Sequence, residues 1–360
     1  MTIDEYFNIN PFSFSKEEKN KFLIQKLNEL INYHSKNSKE YNSILKAYNL
    51  ENKKFNTLED MLFLPVRIFK EYELKSTNDI IKILTSSGTT SQKVSKIFLD
   101  KQTATLQTKA LIKIIQSFIG KQRLPMLIID TKAVFKNKNS YSARGAGILG
   151  FSNFGRDHTY VFDEKMNIDF ETIEKFLKKY KNQKILMFGF TFIVWEFYEK
   201  YKKSNKKLDL SNAVLFHSGG WKKLIEKAVD NKTFKQTLKE TFNISQIHNF
   251  YGMAEQVGSI FVECEYGHLH TPLFADIIIR DFITLKPNPI NKEGIIEVLS
   301  ILPKSYPGHI LLTEDIGVLL GEDDCKCGRK GKYFIVKGRL KKAEIRGCSD
   351  TYALKKENNV

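Results

Sequence analysis

Eight consecutive residues, Thr85 to Gln92, are small or polar, and lysines follow at Lys93 and Lys96. Hydroxyls at Ser86, Ser87, Thr89 and Thr90, backbone N–H groups around Gly88 and a nearby ammonium are the donors that hold a polyphosphate. A solvated turn would use the same residue types, since Ser, Thr and Gly satisfy their own backbone. The spacing is not the Gly-x4-Gly-Lys pattern of a P-loop. A second set lies in the last third of the chain. Cys264, His268, His270, Cys325 and Cys327 supply thiolates and imidazoles, and three thiolates with one imidazole complete a tetrahedral zinc site. Cys-x-Cys is a less usual spacing than Cys-x2-Cys, and the alternative is a set of reduced, buried thiols. The fourth cysteine, Cys348, stands apart from this set.

The composition narrows the classes that fit such residues. The 360 residues, with 42% hydrophobic and 12% aromatic side chains, suit a folded chain with a sizeable core. The longest apolar run, Ile185 to Trp195, has 11 residues, well short of the roughly 20 a membrane helix needs. The N-terminus, MTIDEYFNINPF, lacks a basic region followed by an apolar stretch, so no signal peptide is expected and the cytoplasm is the expected location. The net charge of +16 invites a nucleic-acid reading. The lysines are scattered, however, and no zinc-finger, homeodomain or RNP pattern accompanies them, so no nucleic-acid partner is expected. In a cytosolic chain the four cysteines are not expected to form disulfides.

The elements that must position these residues follow from periodicity. Residues 15–50 read as helix, with Ser15 as cap, Glu17 and Glu18 in the first turn, and a second helical stretch from Ser38. FLPVRIF at 63–69 reads as a short extended segment fixed by Pro65. Strands then alternate with helices: 125–130, helix 170–181, strand 184–190, helix 191–203, strand 212–220, a helix after Trp221, and strand 246–252. This order predicts parallel α/β layers. Beyond 270 the strands lack intervening helices and predict an antiparallel β subdomain. TSSGTT, HSGG and GMAE each follow the C-terminal end of a predicted strand, the edge where open α/β sheets bind ligands.

SSGTT at 86–90, YGMAE at 251–255, LLTEDIG at 311–317 and KGRL at 337–340 stand in the order and approximate spacing of adenylate-forming enzymes of the acyl/aryl-CoA ligase and luciferase type. FLPVRIFK, SSGTTSQKVSKI, SARGAGILGFSNFG, MFGFTFIVWEF, HSGGWKKL and KKAEIRGC further resemble the acyl-protein synthetases of bacterial bioluminescence-type fatty acid reductases, over roughly residues 60–350. The resemblance implies an α/β fold: the large N-terminal domain of the adenylate-forming enzymes, with a β subdomain and without their mobile C-terminal domain. The boundaries expected are an N-terminal helical segment at 1–75, an α/β nucleotide- and acyl-binding core at 76–270, a β subdomain at 271–347 and a tail at 348–360.

It also implies ATP-dependent activation of a carboxylic acid, a fatty acid above all, to an acyl-adenylate. The acyl group then passes to an enzyme cysteine and on to a reductase partner. A phenylacetate-CoA-ligase-like enzyme using CoA or a carrier protein, or a non-catalytic nucleotide-binding scaffold, are the alternatives. Ser91 where Gly is usual, and Ala254 before Glu255, depart from the wider pattern. On the resemblance, Ser86, Ser87, Gly88, Thr89 and Thr90 hold phosphates with Lys93 or Lys96. Ser218, Gly219 and Gly220 approach the adenine, as do Tyr251, Gly252 and Met253. Glu255 ligates Mg²⁺, a hard oxygen donor for a hard cation. Asp315 binds the ribose, and Arg339 supports the ribose or phosphate. The Gly-Leu-His pattern favours His270 over His268 beside Cys264, Cys325 and Cys327 in a structural zinc site. Cys348, in EIRGCSD, is the expected acyl acceptor, and Arg346, Lys341 and Lys342 nearby would favour its thiolate. The aromatic stretch 188–197 is the place to look for an acyl pocket, although such stripes usually just pack.

Overall fold

The computed structural model describes residues 3–85, 94–135, 143–221 and 226–340. The chain opens with helices α1 (Ile3–Tyr6), α2 (Lys16–Asn37) and α3 (Lys39–Ala47). A capping box starts α2: the Glu18 amide donates to Ser15 Oγ, and the Ser15 amide donates to the Glu18 carboxylate at 2.9 Å. Phe22, Leu23, Leu27, Leu30 and Ile31 recur at helical spacing and are all buried. The segment anticipated as extended over 63–69 is strand only at β1 (Leu64–Pro65), and Ile68–Glu71 form a helical turn, α4. The restriction imposed by Pro65 falls on Leu64 before it and not on the residues that follow.

β2 (Lys82–Thr85) and β3 (Lys96–Leu99) pair antiparallel as a separate ribbon on either side of residues 86–93. The α/β region follows as α5 (Lys101–Ile119), β4 (Leu124–Thr131), α6 (Ala143–Ser152), β5 (Gly155–Phe162), α7 (Phe170–Lys179), β6 (Ile185–Phe190), α8 (Thr191–Lys202), β7 (Ala213–Ser218), α9 (Asn231–Phe242) and β8 (Gln246–Met253). Its apolar strand interiors are buried, as a parallel sheet with helices on its faces requires. The chain then turns to β9 (Gln256–Glu263), β10 (Leu269–His270), β11 (Ala275–Arg280), β12 (Glu293–Ser300), β13 (Ile310–Glu322) and β14 (Lys332–Arg339), without an intervening α-helix.

One sheet carries both regions, in the order β11-β12-β13-β14-β10-β9-β8-β7-β6-β4-β5, and β1 joins it beside β13. Strands β8, β7, β6, β4 and β5 run parallel, whereas β9 pairs antiparallel with β8. The tight β8–β9 connection is therefore where the sheet changes character, and YGMAE lies there. The N-terminal helices pack over the antiparallel half. A buried ionic cluster anchors α2: Lys19 Nζ donates to Thr271 Oγ1 at 2.7 Å and pairs with Asp276 at 3.5 Å, and Lys332 pairs with the same carboxylate at 3.1 Å. No described helix is long and apolar enough to cross a membrane.

Candidate functional site

A cleft of about 1830 Å³ runs along β8, past α9 and the 263–269 turn, and takes in the carboxyl ends of β7 and β8. It exceeds the roughly 300–1,000 Å³ of a single small-ligand pocket, so it has room for more than one small molecule. Four sequence-distant segments converge on it: Ser218 to Gly220, Tyr251 to Glu255, Thr313 to Asp315, and Lys337 to Arg339. Eight cationic and six anionic side chains line its described walls, a balance that favours an anionic ligand.

Glycine is required at two of these places. Gly219 has φ +85°, in the left-handed region, and a Cβ there would come within 3.1 Å of the Phe190 ring. A Cβ on Gly252 would lie 2.9 Å from the Ser259 carbonyl oxygen across the β8–β9 pair. Both leave bare backbone facing the cleft. Ser218 Oγ donates to the Phe250 carbonyl at 2.8 Å and ties the two strand ends together.

Tyr251 and Asp315 meet across the cleft floor, with the phenol donating to Asp315 Oδ2 at 2.7 Å. Burial, then the adjacent carboxylate, holds the phenol well above its ordinary range, so it remains a donor. Burial also raises Asp315, and the Tyr251 hydrogen bond opposes that shift. The Tyr251 ring lies nearly parallel to Phe261 at 6.1 Å and edge-on to Phe334 at 6.3 Å, so it both packs and borders the cleft. Arg339 stands opposite Asp315 in the β13–β14 register, and its Nη2 donates to Glu314 at 3.0 Å. Glu255 is 9% exposed at the cleft wall, and its carbonyl accepts from the Tyr306 hydroxyl at 3.0 Å.

Other anticipated residues lie elsewhere. Lys96 begins β3 and pairs with Glu73 at 2.8 Å, outside the cleft lining. Ser86, Ser87, Gly88, Thr89, Thr90, Lys93 and Cys348 lie outside the described residues, as do residues 222–225 of the helix anticipated after Trp221, and its described remainder, 226–229, forms no α-helix. Thr85 and Ser95, which flank the 86–93 segment, do line the cleft. In the aromatic stretch 188–197, Ile193, Val194, Trp195 and Phe197 are core among α8, α9 and the sheet, while Phe190 reaches toward Gly219. Arg67 and Lys70 also line the cleft and escape a reading of FLPVRIFK centred on its proline. Their i, i+3 spacing, which puts both on one side of a helical turn, was the available signal.

At the far end of the β13–β14 hairpin, ligand atoms of Cys264, His270, Cys325 and Cys327 lie within 4.8 Å of one another. Zn–S bonds of about 2.3 Å give tetrahedral S–S edges of about 3.8 Å, so a modest contraction would close the set around a metal. His270 Nε2 approaches Cys327 Sγ at 3.3 Å, while its buried Nδ1 has no partner among the described residues. His268 Nδ1 lies 3.4 Å from Cys325 Sγ, and this half-buried ring borders the cleft instead. Burial, with the neighbouring thiols adding to it, pushes the Cys264 thiol up to about 12, whereas a bound metal would take it as thiolate.

The fold is that of the N-terminal domain of adenylate-forming ligases. The structure resembles that of 2-hydroxyisobutyryl-CoA ligase solved with 2-HIB-AMP and CoA, with a TM-score of 0.71 at 15% identity, over 92% of this chain and 77% of the ligase chain. The acyl-protein synthetase family, LuxE, matches residues 2–356, and the chain belongs to that family. It is 25% identical to the long-chain-fatty-acid–luciferin-component ligase of Aliivibrio fischeri, over 88% of this chain and 84% of the relative. It is 31% identical to the ligase of the same name from Vibrio harveyi, over 36% of this chain and 34% of that relative.

Proposed function

We propose that this ATP-dependent acid ligase activates a fatty acid as its acyl-adenylate and passes the acyl group to its own Cys348, for delivery to a reductase. In the first step the carboxylate oxygen attacks the α-phosphorus and pyrophosphate leaves. In the second the Cys348 thiolate attacks the acyl carbon, and AMP leaves with the bonding electron pair. The observation that carries the reading is the convergence of Ser218–Gly220, Tyr251–Glu255, Asp315 and Arg339 on one cleft. Tyr251 and the bare backbone at Gly219 and Gly220 would border the adenine, and Asp315 would accept from the ribose hydroxyls. Glu255 would hold Mg²⁺, which when bound offsets phosphate charge. The chain's own contribution is to orient the two oxygens of the attack and to fix the dipoles around them.

Leu340 supports a role for Cys348. Its amide donates to the Glu314 carbonyl at 2.8 Å, beside Asp315. Cys348 follows eight residues later, which limits its reach from that anchor to about 28 Å of extended chain. Cys264, Cys325 and Cys327 are poorer acceptors in this reading, since with His270 they would hold a structural zinc.

The test is Cys348→Ser with labelled fatty acid and ATP. Adenylate that still forms, with no label retained on the protein, identifies the acceptor. Label retained as in the wild type removes Cys348 from the role. If neither protein is labelled but added CoA is, a soluble thiol replaces the cysteine.

A further inference from the structure

The nucleotide-facing wall has a component that comes from outside the α/β region. β1 pairs parallel with the start of β13 (Leu64 with Leu311, Pro65 with Leu312), and the Val66 amide donates to the Leu312 carbonyl at 2.9 Å. This fixes Arg67 two residues from the end of a short strand, directly opposite the run that carries Asp315. Arg67 Nε donates to one oxygen of Glu314, and Arg339 Nη2 donates to the other at 3.0 Å. One carboxylate is thus shared by two guanidiniums. Arg67 keeps half its side chain exposed, and its bond to Glu314 uses Nε, so among the described residues Nη1 and Nη2 remain for a ligand. Lys70, three residues on, lines the same cleft, as do Thr85 and Ser95.

The local charge decides what that ligand is. Arg67, Lys70 and Arg339 face the carboxylates of Glu314 and Asp315, and Asp315 already accepts from Tyr251. Among Arg67, Lys70, Arg339, Glu314 and Asp315 one positive charge is left over. A guanidinium with both terminal nitrogens free is a fork suited to two phosphate oxygens.

We propose that Arg67, with Lys70 beside it, binds the β- and γ-phosphates of ATP, and hence the leaving pyrophosphate, from the N-terminal segment. The proposal rests on the adenylating reading for its ligand and goes beyond it in assigning the phosphate end. Arg67 would hold the bridging and terminal oxygens while the α-phosphorus is attacked.

Calorimetric binding of ATP, pyrophosphate and AMP to the full chain tests this without requiring turnover. Arg67→Gln is expected to weaken ATP and pyrophosphate by roughly 10- to 100-fold, the loss of a charge-assisted hydrogen bond. AMP, which lacks the two phosphates, should change by less than about threefold on the same principle. Arg67→Lys keeps the charge without the fork, and should fall between wild type and Arg67→Gln. It also serves if Arg67→Gln does not fold. Glu314→Gln removes the competing carboxylate and should bind pyrophosphate at least as tightly as wild type. Equal weakening of AMP and ATP in Arg67→Gln, no weakening of either, or weaker pyrophosphate binding in Glu314→Gln would overturn the proposal. A wild type that binds ATP but shows no acid-dependent exchange sinks the adenylating reading and leaves the binding result to decide this one. A wild type that binds neither ATP nor pyrophosphate sinks both.

Discussion

The β13–β14 hairpin has two ends, and they are built in opposite ways. At the open end, Asp315 and Arg339 border a wide cleft, and its polar groups are paired yet within reach of a ligand. At the turn end, Cys264, Cys325 and His270 are buried and Cys327 is half-buried, and the cleft reaches the edge of this cluster at His268. A polar group that must exchange partners during a reaction has to stay near water. A group that holds a hairpin shut gains from being dry. The contrast predicts that damage at the turn end will read as instability, and damage at the cleft end as lost chemistry on an intact fold.

The largest effect should follow loss of the Cys/His cluster. Cys325→Ser, or a strong chelator, is expected to lower unfolding free energy by about 5 kcal/mol, the scale for losing a structural metal. Denaturant titration checks it, and metal analysis should find one zinc per chain in the wild type. Unaltered stability in a metal-free protein would erase the contrast from the turn side. Next, Glu255→Gln should cut adenylate formation by roughly a thousandfold, as for loss of a key electrostatic group, with the melting temperature held within about 2 °C. Pyrophosphate exchange and a thermal melt on one preparation read both halves. Normal exchange in that variant would take Glu255 out of the site.

Asp276→Ala leaves Lys19 and Lys332 as buried ammonium groups without their shared partner. It should cost about 3 kcal/mol, because stripping one member from a buried ion cluster leaves uncompensated charge. ATP binding by the folded fraction should be spared, since the cluster sits under α2 and not in the cleft lining. The smallest effect should come from Tyr251→Phe. Removing the donor to Asp315 costs about 1 kcal/mol, seen as roughly a fivefold change in ATP affinity with little change in the fold. A melt that drops as far as that of Asp276→Ala would mean Tyr251 is simply core.

The cleft end was more legible in the sequence than the turn end or the N-terminal wall. Glycine pairs and acidic residues just past predicted strands follow from local chemistry. Ser218–Gly220 and Gly252–Glu255 could therefore be placed at strand ends from local chemistry, whereas Asp315, inside a predicted strand, was legible only through the family resemblance. Cys264 and Cys327 could be grouped by spacing, but the choice of His270 over His268 depends on which face of β10 turns inward. Lys19 gave no sign of burial: its partners are 252 and 257 residues away, and a lysine near a helix start reads as surface. Arg67 was hidden for the same reason, since β1 becomes a strand only through its pairing with residues 311–312. Contacts of high sequence separation leave no local periodicity to read.

Acid-dependent exchange of labelled pyrophosphate into ATP reads acyl-adenylate formation at the cleft without needing the acyl acceptor. The purified protein should be given fatty, aryl and amino acids in turn, with ATP and Mg²⁺. Exchange should depend on the added acid, be strongest with a fatty acid and be lost in Glu255→Gln. Exchange that no acid stimulates, from a folded protein that binds ATP, would contradict acyl-adenylate formation and leave a nucleotide-binding protein without adenylating activity.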